Sequence, residues 1–307
     1  MIGTLAALTV AVMAAATHTD TTVAVRPGTR LELSNFGGSI AVSTWAKNSV
    51  RVVAEHSSRV EIQIEGSARS LGIEAVHTRG LPTTVDYQLT VPIWMALELS
   101  GVSTDISVER SGGDVKIESV QGEVSVTGGT GQVAASSVEG EVRVQGASGS
   151  IEVSSVNGSV HVERSKGPVV ANSVNGEIIL ERIDSGDVDA STVNGTVSYD
   201  GALIEGGSYR FSTHNGDVAV TVPERANATV SVSTFSGEFS SEFPIQLNET
   251  RQGRRFNFTL GNGGARIELE SFQGTIRLCR PGSAAVKRGA GHRHDEKKGK
   301  ETVKPKH

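Results

Sequence analysis

The chain has 307 residues, among them 36 glycines, 8 prolines and only 4% aromatic residues, with a formal charge of −5. So little aromatic bulk excludes an aromatic-rich globular core, and strict apolar/polar alternation in place of 3.6-residue spacing makes the pattern all-β. Eight Lys or Arg between Gly282 and His307, against Asp295, Glu296 and Glu301, leave 21 basic and 31 acidic residues elsewhere, a balance near −10. A nucleic-acid binder carries its positive charge on a folded face, so that class is set aside.

In chain order, an apolar run from Leu5 to Ala16 closes on Ala14-Ala15-Ala16 and gives way to polar Thr17 to Asp20. About a dozen apolar residues are too few for a bilayer span of about 20, so residues 1–16 read as a signal peptide. It lacks the usual basic residue before the apolar run. Export to the periplasm or cell surface follows, with no transmembrane segment in the mature chain.

From Thr21 to Ser100 alternation recurs without a fixed period, as in Leu31-Glu-Leu, Val50-Arg-Val-Val and Val60-Glu-Ile-Gln-Ile. This part is expected to form irregular first coils and a cap, since terminal strand edges need cover. Ser34-Asn-Phe-Gly-Gly-Ser-Ile40 already resembles the signature that follows.

Over residues 101–220 glycines fall at 113, 122, 131, 140, 149, 158, 167 and 176, then at 186, 195, 207 and 216. The Ser-Val-x-Gly signature appears in every second nonamer, so the unit is an 18-residue coil of two strands and two turns. Third positions (Val142, Ile151, Val160, Ile178) and fifth positions (Val144, Val153, Val162, Leu180) are apolar, whereas Arg143, Glu152 and His161 stand between them. Period two with β-branched residues predicts inward rows stacked at the strand spacing of about 4.8 Å. Glycine, preceded by Asn157, Asn175, Asn194 or Asn215, is expected to supply left-handed corners.

The repeat loosens but persists in Thr213-His-Asn-Gly216, Thr234-Phe-Ser-Gly237 and Ser271-Phe-Gln-Gly274. Phe235, Phe239, Phe256, Phe258 and Phe272 are expected to close the end of the core. A single β-solenoid domain over residues 20–280, followed by a disordered basic tail at 281–307, completes the expected organisation.

Phe36-Gly-Gly-Ser-Ile40, Val85-Asp-Tyr-Gln-Leu-Thr-Val-Pro92 and the repeated Ser-Val-Asn-Gly-x-Val resemble the bacterial β-strand-repeat proteins of the DUF4097 group, over roughly Val23 to Leu278. That resemblance implies a β-helical, exported envelope protein with an adhesin label given by architecture. It implies no catalytic residues.

The candidate interaction rows are the amides Asn157, Asn175, Asn194 and Asn215 and the carboxylates Glu163, Glu181 and Asp200, with Glu123 and Glu141 as a second acidic pair. A solvated ladder and a charge-mixed face explain both rows more simply than a glycan or Ca²⁺ site, because Arg164, Lys166 and Arg182 lie close by. The Ser/Thr row at 119, 137, 155, 173, 192 and 213 has no repeating His to serve as a base. Cys279 has no disulfide partner, and His292, His294 and His307 belong to a solvated tail. Asp187 and Asp189 are the nearest carboxylate pair for an enzyme, but an 18-residue coil leaves little loop to wall a cleft. The expectation is a non-enzymatic binding scaffold without cofactor or metal, whose partner is an envelope glycan, peptidoglycan or protein. The alternatives are an envelope-stress sensory module and, less favoured, a polysaccharide lyase or hydrolase.

Overall fold

The computed structural model describes residues 18–77, 83–245, 248–250 and 254–282. The expected signal peptide at 1–16, and the expected tail beyond Gly282, lie outside the described residues. Every regular element among the described residues is a strand.

The alternating sequence builds a coil of two strands. Val115–Gln121 turns at Gly122 into Val124–Thr127, and the next coil repeats this as Val133–Glu139 and Val142–Gln145. Pairing is parallel and in register at 18 residues: Val133 lies between Val115 and Ile151, and Val142 between Val124 and Val160. First strands stack into one face of the solenoid and second strands into the other. Val142, Val160 and Ile178 are piled on consecutive coils and fully buried, as the alternation predicts. Each buried valine contributes about 1.5 kcal/mol or more by leaving water, but only because the coils above and below cover it.

The corners hold by hydroxyl bonds and close backbone approach. Ser155 Oγ donates to the Gly140 carbonyl at 2.9 Å, Ser173 Oγ to Gly158 at 3.2 Å and Thr213 Oγ1 to Gly195 at 2.9 Å. The expected left-handed corners are a correction. Most corner glycines have ordinary φ, and none of the four Asn is left-handed. A Cβ added at Gly140, Gly158 or Gly176 would instead fall on the carbonyl oxygen of the corner glycine one coil away. Glycine is required there because two backbones meet, and not because the turn is left-handed. The left-handed column lies at the opposite corner, at Arg110, Gly128, Gly146, Arg164 and Arg182.

At both ends the coils leave chain order. Arg30–Trp45 is a whole coil, paired in parallel with Ala96–Glu109 on one side. Ser70–His77 and Val85–Pro92, later in the chain, pair on its other side. Likewise Ala265–Gln273 and Thr275–Cys279 insert between the coil of Ser208–Asn215 and Val218–Thr221 and the coil of Ala228–Thr234 and Glu238–Ser241. Antiparallel strands then extend the outer coils: Val60–Gly66 and Ser49–Glu55 at one end, Arg254–Leu260 at the other. These strands take up pairing groups that a bare coil would expose.

The aromatic closure expected at the C-terminal end is also corrected in part. Tyr199, Tyr209 and Phe211 fill the core there, with Phe256 and Phe258 nearly buried, but Phe235 and Phe272 point outward. The Tyr209 hydroxyl donates to the Ser185 carbonyl and accepts from the Ile204 N–H, both at 2.7 Å, so a phenol is accommodated in an apolar interior.

Candidate functional site

The rows singled out in the sequence do stack. Asn175 Nδ2 donates to Asn157 Oδ1 at 2.9 Å, Asn194 to Asn175 at 2.9 Å and Asn215 to Asn194 at 2.8 Å. The ladder thus spends much of its hydrogen-bonding capacity on itself. Glu163, Glu181 and Asp200 face one another across successive coils. Glu163 accepts from Gln145 Nε2 at 2.8 Å and pairs with Arg182 and Arg164. The Gln145 bond, aided by the two guanidinium groups, holds its carboxyl below the usual glutamate range. Glu181 lies 3.9 Å from His161, and Glu141 pairs with Arg143. No group of three or more His, Cys, Asp or Glu gathers as a metal site among the described residues.

A different row stands out for what it leaves exposed. The residue after each buried corner residue (Asn35, Gly101 and then the inward Ser or Thr row from Ser119) points out at the corner, where alternation is interrupted by the turn. Phe36, Val102, Val120, Val138, Val156, Val174 and Val193 occupy it on consecutive coils, followed by His214, Phe272 and Phe235. Among the described residues, nine of the twelve exposed large hydrophobic side chains belong to this one row, from 39% exposed at Val156 to 71% at Phe235. Ten positions at a strand spacing near 4.8 Å make an apolar ridge of roughly 43 Å. Single exposed apolar residues are ordinary, but alignment into a continuous ridge is not.

Beside the ridge runs a parallel row of polar side chains: Ser136, Ser154, Asn172, Ser191 and Ser212, then Glu270, Ser233 and Arg255. Ridge and row form the wall and floor of a shallow groove. It deepens to about 290 Å³ around Ser154 and Val156, and to about 680 Å³ at the C-terminal end. There the rings of His214 and Phe272 stack at 4.6 Å and 11°, and those of Phe272 and Phe235 at 4.6 Å and 3°. The second face of Phe235 meets no further ring among the described residues.

Part of this signal is present in the sequence. Val120, Val138, Val156, Val174 and Val193 were visible as the Val of Ser-Val-x-Gly, and the ring stack as His214, Phe272 and Phe235 of the looser signatures. What was missing was the direction of that side chain and the order of the last coils. Trp45 and Trp94, also outside the regular coils, are held elsewhere: Trp45 Nε1 donates to Ser49 O at 2.6 Å and Trp94 Nε1 to Asn48 Oδ1 at 3.0 Å.

Two faces wound from one chain, with glycine corners and inward rows in register, define a β-solenoid with a lateral groove. Residues 39–279 match the family model Toastrack DUF4097, and the chain belongs to that family. Solved structures that resemble it include a putative adhesin from Bacteroides fragilis, at 12% identity and a TM-score of 0.47, covering 85% of this chain and 96% of that one. Another, a putative adhesin from Parabacteroides distasonis, has 11% identity and a TM-score of 0.45, with coverages of 85% and 96%. No curated protein matches the sequence. No helix among the described residues is long and apolar enough to cross a membrane.

Proposed function

We propose that the protein is a non-catalytic, exported scaffold of the cell envelope that binds an extended macromolecule along the corner groove, in the manner of an adhesin. The apolar run from Leu5 to Ala16, ending in small residues, supports export. One observation carries the binding reading: the ridge and its polar row run side by side from coil to coil, so the exposed apolar surface is linear. A linear surface suits a polymer. A folded enzyme site would call instead for convergent acid and base groups in a walled pocket.

The reading is tested by co-sedimentation of the full chain with purified envelope material, sacculi and surface polysaccharide alike. The combined variant Val138→Lys, Val156→Lys and Val174→Lys alters only partly exposed side chains, so its melting temperature should stay close to the parent. Its sedimented fraction should fall severalfold. Equal sedimentation of parent and variant would remove the ridge from the binding surface.

A further inference from the structure

Resting on that reading, we propose that the C-terminal end of the groove is a subsite for an uncharged glycan chain, with Phe235 as its stacking platform and Ser212, Glu270 and Ser233 as its hydroxyl-binding row.

The argument begins with what the groove leaves unsatisfied. The hydroxyls of Ser212 and Ser233 make no hydrogen bond among the described residues, and Glu270, which stands between them in register, forms no ion pair there. A partner that covered these groups with apolar side chains would bury a carboxylate and two hydroxyls without compensation, at a cost of several kcal/mol. This argues against a second copy of the ridge as the occupant. A peptide joining by strand addition needs an open backbone edge, and here the strands on both sides of Glu270 are already paired. The occupant must therefore bring its own dense set of hydroxyl donors and acceptors.

It must also bring an apolar face. The wall opposite the floor is made of ring edges from His214 and Phe272, and it ends on the open face of Phe235. A pyranose has this division of chemistry: C–H groups on its faces and hydroxyls around its rim. Stacked on Phe235, a sugar would set its rim beside Ser233 and Arg255, and the chain would run back along the polar row past Glu270. The volume of about 680 Å³ lies in the range of small-ligand sites, and the groove continues beyond it.

Charge selects the class of glycan. Glu270 forms no ion pair among the described residues, although its charge is felt by Arg210, and the chain outside its C-terminal segment is acidic overall. Arg255 stands one strand beyond Ser233 and already has an interaction of its own. Polyuronates and phosphate-bearing polymers would meet repulsion at Glu270, whereas neutral hexoses and N-acetylated amino sugars accept a carboxylate as a hydrogen-bond acceptor.

The test is calorimetric titration of the full chain with cellohexaose, chitohexaose and hexagalacturonate. At least one of the two neutral probes should bind, and more tightly than hexagalacturonate. Phe235→Ala should weaken binding by roughly tenfold, as loss of a stacking platform does, and Glu270→Ala by a similar factor. Both side chains are exposed, so the melting temperatures should not move, and Ser125→Ala on the opposite face serves as the control. Tighter binding of hexagalacturonate, an affinity unmoved by Phe235→Ala, or no heat with either neutral probe would each overturn the proposal. In the last case, retained ridge-dependent sedimentation with envelope material would show that the scaffold reading stands and the glycan class alone is wrong.

Discussion

The middle of the solenoid and its two ends are built from the same coil by different rules. Between Val115 and Asp200 each strand pairs with the one a coil earlier, 18 or 19 residues back, so position in the chain and position in the stack agree. At the C-terminal end Ser208 pairs with Arg266, and the intervening coil is pushed outward. At the N-terminal end Arg30–Trp45 is likewise enclosed by strands that come later in the chain. A constant period is enough to fix register where every coil has the same length. The ends follow a different requirement: the outer coil must carry antiparallel strands that cover it, and only a long excursion supplies them. The binding groove straddles both regimes, with a valine ridge from the regular coils and a ring stack that Phe272 of the inserted coil completes between His214 and Phe235.

This contrast can be broken at graded strength. The largest effect is expected from Val153→Asp, which places a charge between Ala135 and Ala171 in the inward stack; a loss of about 4 kcal/mol or more should appear as a collapse of the melting transition. Gly158→Ala comes next, at about 2 kcal/mol, since its Cβ meets the Gly140 carbonyl. Gly186→Ala, in a roomier turn whose nearest atom is 4.0 Å away, should stay within about 0.5 kcal/mol by the same denaturant titration.

Buried phenols separate the ends. Tyr209→Phe leaves the Ser185 carbonyl and the Ile204 N–H without their partner and should cost about 1–2 kcal/mol. The Tyr87 hydroxyl is buried with no partner among the described residues, and burial pushes its pKa far up, so Tyr87→Phe should be neutral or mildly stabilising in the same titration.

The smallest effect concerns acid. Glu163 has a folded-state pKa below its ordinary value of 4.5, so its contribution is full above that pH and is lost as pH falls through the lowered value. Glu163→Gln should flatten stability against pH in that acid range only.

Much of the architecture was legible. The 18-residue unit, the inward rows and the stacking of Val142, Val160 and Ile178 follow from alternation, because a buried face tolerates no slip of one residue. The reason for glycine was not legible: Gly140 and Gly158 look the same in sequence whether they relieve a left-handed turn or a close approach, and only the path of the adjacent coil decides. Nor was the site. Phe235 and Phe272 read as core because large apolar residues usually are, yet the turn that follows the inward Thr234 and Ser271 rotates them outward. Their stacking further depends on coil order, which local pattern does not encode.

That order is the claim on which the groove rests, since Phe272 joins His214 to Phe235 only if residues 265–279 lie between the coils at 208–221 and 228–241. Paired cysteines in the floor of the groove test it directly, by the yield of disulfide on mild oxidation of the folded chain. Ser212→Cys with Glu270→Cys, on adjacent strands, should close a disulfide readily, whereas Ser212→Cys with Ser233→Cys should stay reduced with a strand between them. The opposite result, ready closure between positions 212 and 233 and none between 212 and 270, would mean that the coils follow chain order and that the ring stack does not exist.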